Sequence, residues 1–507
     1  MKKTVFSLVA LLGTTAMIAQ SNNSSVTQTG EKNFTNVTQI GVSNSSLTIQ
    51  NGISNNAETI QGSKEFNSSN GVVKQIQTGN RNSAYAQHEE KNNRVNQVQI
   101  GNRNSSNTKQ NLKYEGGNNI ARQRQKGNKN DAIISQEGVS NSAFQVQIGK
   151  SNSASSVQLG SNDLSRLMQV GNFNTASVFQ EGDKNNSLQR QAGNSNMVKA
   201  EQLGNGNLIR QIQRGDGNTG TSMQGSSLFD SREGRIEQVQ YGNENSAFAN
   251  HEEDENTILQ GQGGDGNNAR AEQNLTRFGG KNFAMQIQNG YGNSAIAAQD
   301  GNENRLNQSQ SGNGNRVSAT QFGGNNVLFQ NQTGVDNEAI SKQGGFLFAS
   351  RGGMVNQFQY GNSNKAFAQQ EEDKNSVLQA QVGNRNSASA TQNILFFGGK
   401  NTVKQAQVGN GNIVEAYQEG NSDLNLVGEN NLINQIQIGS QNKVTSSQNG
   451  INNVNDILQS GNMNIAEDTQ FGIGNDISLN QVGNMHMSTI LQTGTNNTTN
   501  VTQGGAN

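Results

Sequence analysis

The chain has 507 residues, and its 37 Lys and Arg against 38 Asp and Glu leave a net charge of −1, which gives the molecule as a whole no electrostatic footprint for nucleic acid or an anionic membrane. It has no Cys, which excludes disulfides, thiolate metal sites and a lipid-bearing cysteine. Hydrophobic residues make up 30% and mean hydropathy is −0.78, values typical of disorder, but the chain has no Pro and a strict period, and both suit a sheet whose backbone N–H groups all donate.

Residues 1–19 place Lys2 and Lys3 before an apolar run from Val5 to Leu12 and then small residues, the anatomy of a secretory signal peptide. Cleavage after Ala19 starts the mature chain near Gln20, with cleavage after Ala16 as the alternative. The apolar run is too short to span a bilayer, and no later segment is long enough either, so no membrane insertion is expected.

From Gln28 a Gln recurs every eleven residues, through Gln39, Gln50 and Gln61, later through Gln136, Gln147, Gln158 and Gln213, and on to Gln503. A repeat of this length defines the architecture. One unit reads Asn130, Ala132, Ile134, Gln136, Gly138, all of one parity, so these side chains share one face of a strand and the Gly opens a tight corner.

Alternate half-repeats differ. Odd ones carry a second Gln two before the first, as in Gln145–Gln147, Gln211–Gln213 and Gln308–Gln310, with a large aliphatic such as Ile209 or Leu306. Even ones carry Ala or Ser there, as at Ala86, Ser156 and Ala319. Bulk on one sheet then meets small residues on the other. The expectation is an all-β, parallel two-sheet β-solenoid, continuous over 20–507 in about 20 turns of 22 residues, each turn two 11-residue strand-corner halves. Asn130, Gln136, Gln145, Gln147, Asn152, Gln158, Gln211, Gln213, Gln308 and Gln310 are expected to form amide ladders along its axis.

The spacing Asn-x5-Gln-x4-Asn-x5-Gln at Asn141, Gln147, Asn152 and Gln158, with Ala154 after the second Asn, resembles the curlin repeat, and the resemblance extends over nearly all of 22–503. Asn usually stands where that family begins with Ser, and the array is longer than the family's short subunits. The resemblance implies export to the cell surface, self-assembly into extracellular curli-type fibres, roles in biofilm matrix and adhesion, and partnership with curli-type secretion and nucleation proteins. Head-to-tail assembly is expected because the first repeat near Asn22 and the last at Gln503 keep the repeat chemistry. A cell-surface adhesin that uses the solenoid to hold a ligand without polymerising is the alternative.

Chemistry-bearing residues are few. His88 and His251 stand at Gln positions, each followed by two Glu, and read as polar filler in the ladder. The glycine-rich string at 261–268 resembles a nucleotide or calcium loop only superficially. The acidic turns at Glu252–Glu255 and Glu371–Asp373 read as solvated loops that discourage mispairing. A filled solenoid offers no cleft for acid–base work, so neither catalysis nor a cofactor or metal site is expected.

Two surface features stand out. Outward positions flanking the odd-strand Gln form an apolar stripe that includes Phe358, Tyr360, Ile436 and Ile438, a candidate for lateral association. Seven steps of the period exceed eleven residues, among them Gln61 to Gln77, Gln110 to Gln125 and Gln418 to Gln437, and all seven run from an even strand to an odd one. If corners alternate between two edges, every insertion lies on one edge.

Overall fold

A computed structural model describes residues 21–275, 279–345, 349–394, 398–420 and 428–505, and the expected signal peptide at 1–19 lies outside the described residues. The chain divides into two compact units, Met1–Asn245 and Ser246–Asn507. All regular structure among the described residues is β.

In the first unit the chain alternates between two parallel sheets. Val72–Asn80 lies beside Arg94–Asn102, which lies beside Ile120–Asn128, all in one sheet, while the intervening Ser83–His88 and Ser105–Gln110 pair in the other. The second unit repeats the plan, with Phe283–Tyr291, Arg305–Asn313 and Val327–Val335 in its first sheet and Ser294–Asn302 and Arg316–Gly324 in its second. Each unit is a β-solenoid, with like residues in register one turn apart, as in Gln75↔Gln97↔Gln123. Inserted residues lengthen a corner without shifting this register: Gln61 and His88 pair although 27 residues separate them.

The corners explain the spacing of the glycines. Gly149 sits at φ 128, and a Cβ there would lie 1.9 Å from the carbonyl oxygen of Gly171 in the next turn. No side chain fits at a bend that must stack this closely on its copies.

Packing is set by volume exchange across the core. Val73 and Val95 of the first sheet pack with Ala86 of the second, whereas Ala121 and Ala143 pack with Ile134. The large partner changes sheet and the interior stays filled, with Ala86, Ile134 and Ala143 fully sealed from solvent. The bulk-meets-small expectation therefore describes local pairs rather than whole sheets.

Candidate assembly surfaces and amide ladders

Alternation points every second side chain inward, and most of those are amides, which must be paired to be buried. In the first unit Gln136 donates its Nε2 to Oε1 of Gln158 at 2.8 Å, and Gln158 donates to Gln180 at 2.9 Å. Gln147 donates to Gln169 at 2.9 Å, Gln211 to Gln238 at 2.9 Å and Gln213 to Gln240 at 2.7 Å. In the second unit Gln308 and Gln310 donate to Gln330 and Gln332 at 2.9 and 3.0 Å. Most of these Gln also donate across the core to a backbone carbonyl, as Gln147 does to Asp131 O at 2.7 Å. Each amide thus ties turn to turn and sheet to sheet.

Asn130 and Asn152 hold the corners. Oδ1 of Asn130 accepts both the backbone N–H of Asn152 and its side-chain Nδ2, each at 3.1 Å, while Nδ2 of Asn152 also donates to Gly171 O at 2.8 Å. Gln145 differs from the other ladder residues. It accepts from Gln123 at 3.1 Å and donates to Ile133 O at 2.7 Å, but the next residue in register is Leu167, and the row stops. Beyond it, Oε1 of Gln189 is buried with no donor.

The long corners re-enter the ladder by two routes that sequence reasoning missed. Where Gly71, Gly234 or Gly353 replaces the corner Asn, Ser68, Ser231 or Ser350 donates its hydroxyl to Oδ1 of Asn44, Asn207 or Asn326 at 2.8 to 3.0 Å, substituting for the lost amide. In the second route the corner at 111–119 uses an extra Asn: Asn111 donates to Gly138 O at 2.9 Å and accepts from Asn119. The sequence signal was present in the recurring Ser and the repeated Asn-x7-Asn. In each unit the even-to-odd corners stack on one edge, in short pairings such as Gly41–Val42 with Ser68–Ser69 and Gly204–Asn205 with Ser231–Arg232. Of the seven insertions, those passing through 276–278, 346–348, 395–397 and 421–427 lie partly outside the described residues.

The lateral-association candidates sit in the second unit. Tyr360 and Ile438 are each 46% exposed, and two valines join them in register, Tyr360↔Val382↔Val408↔Ile438. Phe358 and Ile436 are half-buried in the adjacent row, with the Phe358 ring 5.4 Å from that of Phe329.

His88 and His251 are buried, and desolvation holds their imidazoles down at about 4 and about 3. His88 replaces a ladder Gln, with Nε2 3.1 Å from Gln61 Nε2 and Nδ1 3.2 Å from Ser68 Oγ. Gly71 makes room for it: a Cβ there would lie 2.1 Å from the imidazole. Burial pushes two other acids up to about 7. Asp163 stands in an Asn row, and Asp468 is in register with Ser446 and Ile490 and has both oxygens unpaired.

Nothing among the described residues gathers three or more His, Asp or Glu as a metal site. The string at 261–268 is mostly strand, Thr257–Asp265, rather than a loop. Among the described residues no helix is long and apolar enough to cross a membrane. Residues 127–160 and 171–204 each match the family model of the curlin associated repeat. The search of curated proteins returned no match.

Proposed function

We propose that this chain of curlin repeats is a secreted structural protein that self-assembles head to tail into extracellular curli-type fibres serving biofilm matrix and surface adhesion. The 1–19 leader directs export, and curli-type secretion and nucleation proteins are its partners. One observation carries the reading: each turn presents the next with a parallel ladder of backbone groups, Gln and Asn that any like turn completes.

The two matched ranges fall in a family of structural repeats, which supports a structural rather than a catalytic role. The test is to incubate the purified mature chain and examine it by electron microscopy and fibre diffraction. Fibres with a 4.7 to 4.8 Å reflection along the axis are expected. A soluble monomer at every concentration overturns the proposal and favours a non-polymerising adhesin.

A further inference from the structure

The net charge of −1 averages over faces that the fold separates. In the first unit, the ten long strands of the first sheet, from Asn23–Glu31 to Arg235–Tyr241, carry eleven Lys and Arg and only two Glu. The nine long strands of its second sheet carry two Lys and six Asp and Glu. Alternation sends all eleven cations outward, and each is exposed. Of the two acids, Glu237 is taken up by Arg210 and Arg235.

The cations lie in straight rows. Along one row the register runs Arg122↔Phe144↔Arg166↔Leu188↔Arg210, so a guanidinium alternates with an apolar side chain at every turn and recurs about every 10 Å. The Arg122 and Arg166 guanidinium carbons lie 5.5 and 5.8 Å from the Phe144 ring centroid on either side. Arg124 and Lys126 extend the charge across the strand. At the adjoining corner Arg81, Arg103, Lys129 and Lys150 line an open groove of about 530 Å³ with three Asn, one Ile and no acid.

We propose that this face binds a linear acidic polysaccharide laid along the stacking axis, its carboxylates or sulfates on the arginine rows and its sugar faces on the interleaved Phe144 and Leu188. A flat face with straight rows of bidentate donors fits an extended polyanion. Duplex nucleic acid fits it less well, because the duplex surface is round and its closely spaced phosphates spiral away from a straight row. The site is separate from the turn-to-turn ladders of assembly and from the apolar row of the second unit.

The probe is a polygalacturonate of defined length, added to the full mature chain at several salt concentrations. Replacing Arg122→Gln, Arg124→Gln, Lys126→Gln and Arg166→Gln together is expected to weaken binding at least tenfold and flatten its salt dependence. Lys109→Gln with Lys199→Gln, on the opposite face, is expected to change neither. Fibre formation by the fourfold variant should be normal, which separates this proposal from the one above. On the unsubstituted chain, bound polygalacturonate should protect Arg122, Arg124 and Arg166 from phenylglyoxal and leave Arg305 and Arg316 reactive, a readout that stands even if the variant misfolds. The proposal is overturned by absent protection, by undiminished binding in a folded fourfold variant, or by tighter binding of duplex DNA or anionic vesicles at equal charge concentration.

Discussion

Oδ1 of Asp163 accepts the backbone N–H of Asn185 at 2.9 Å, while its Oδ2, equally buried, has no partner. One turn to either side, Asn141 and Asn185 use the corresponding Nδ2 to donate to Gly160 O and Gly204 O at 2.9 and 2.8 Å. An aspartate has no N–H to give there, and burial therefore lifts its carboxyl to about 7. Asp163→Asn supplies the missing donor and removes a buried charge. It should stabilise these turns at pH 8 by on the order of 2 kcal/mol, read as slower amide hydrogen exchange around Asn141–Asn185. Faster exchange there would show that the carboxyl is not the weak point.

Asp163 and His88 respond to acid in opposite senses. The folded pKa of Asp163 lies above its unfolded value, so its contribution to stability is full below about pH 4 and is lost as pH rises through about 7. That of His88 lies below its unfolded value of 6.5, so its contribution is present above pH 6.5 and is lost as pH falls through about 4. Between pH 7 and pH 4, protection corrected for intrinsic rates should therefore rise around Asp163 and fall around His88, by up to about a hundredfold at each. His88→Gln should flatten the second trend alone and Asp163→Asn the first alone.

The exchange of volume at Ile134 gives a packing prediction. Ile134→Ala leaves a void between Ala121 and Ala143 and should cost about 2 to 4 kcal/mol locally. Adding Ala143→Ile restores the arrangement found at Val73, Ala86 and Val95, with the large residue on the first sheet. Hydrogen exchange across 121–143 should recover most of the loss in the double variant, and an additive further loss would mean that the two positions do not share one space.

Much of this was legible in the sequence because the chain repeats a strand whose inward residues are nearly all of one parity. Gln136, Gln147 and Asn152 could be placed in ladders from spacing alone, since register one turn apart follows from identity of position. Leu167 could not announce that it interrupts a row, because a Leu at an inward position reads as ordinary core and the cost falls on Gln189 one turn away. The serines of the long corners were hidden for a similar reason: Ser68 pairs with Asn44, 24 residues back, and only the folded corner brings them together. The basic face was obscured by counting charge over the whole chain, when the fold sorts it by strand and by parity.

The one-edge insertions carry a prediction about attachment. Extra residues at the even-to-odd corners leave the sheet register intact, as Gln61↔His88 and Gln110↔Gln136 show. Shortening the seven loops to the eleven-residue spacing should therefore preserve fibre formation, and if that edge contacts surface or matrix, attachment to a matrix-coated surface should fall severalfold. Equal attachment by the trimmed chain would mean that the insertions are merely tolerated.

Lateral association should depend on the second unit's exposed row. Tyr360, Val382, Val408 and Ile438 follow one another in register, each 46 to 48% exposed, and the strands that bear them carry Lys404 as their single charge. Apolar area in a continuous row is removed from water when two copies pack side by side, at about 25 cal/mol per Å². The same side chains point away from the amide ladders, so replacing them leaves turn-to-turn pairing untouched. Phe358, Tyr360, Ile436 and Ile438 changed together to Ser or Thr should yield single fibrils of normal length and thinner bundles, measured as fibre width by electron microscopy. Charge on the first unit gives a control: raising salt should leave the apolar contact intact, so wild-type bundles should persist at 1 M salt. Bundles of unchanged width in the fourfold variant would place lateral contact elsewhere on the surface.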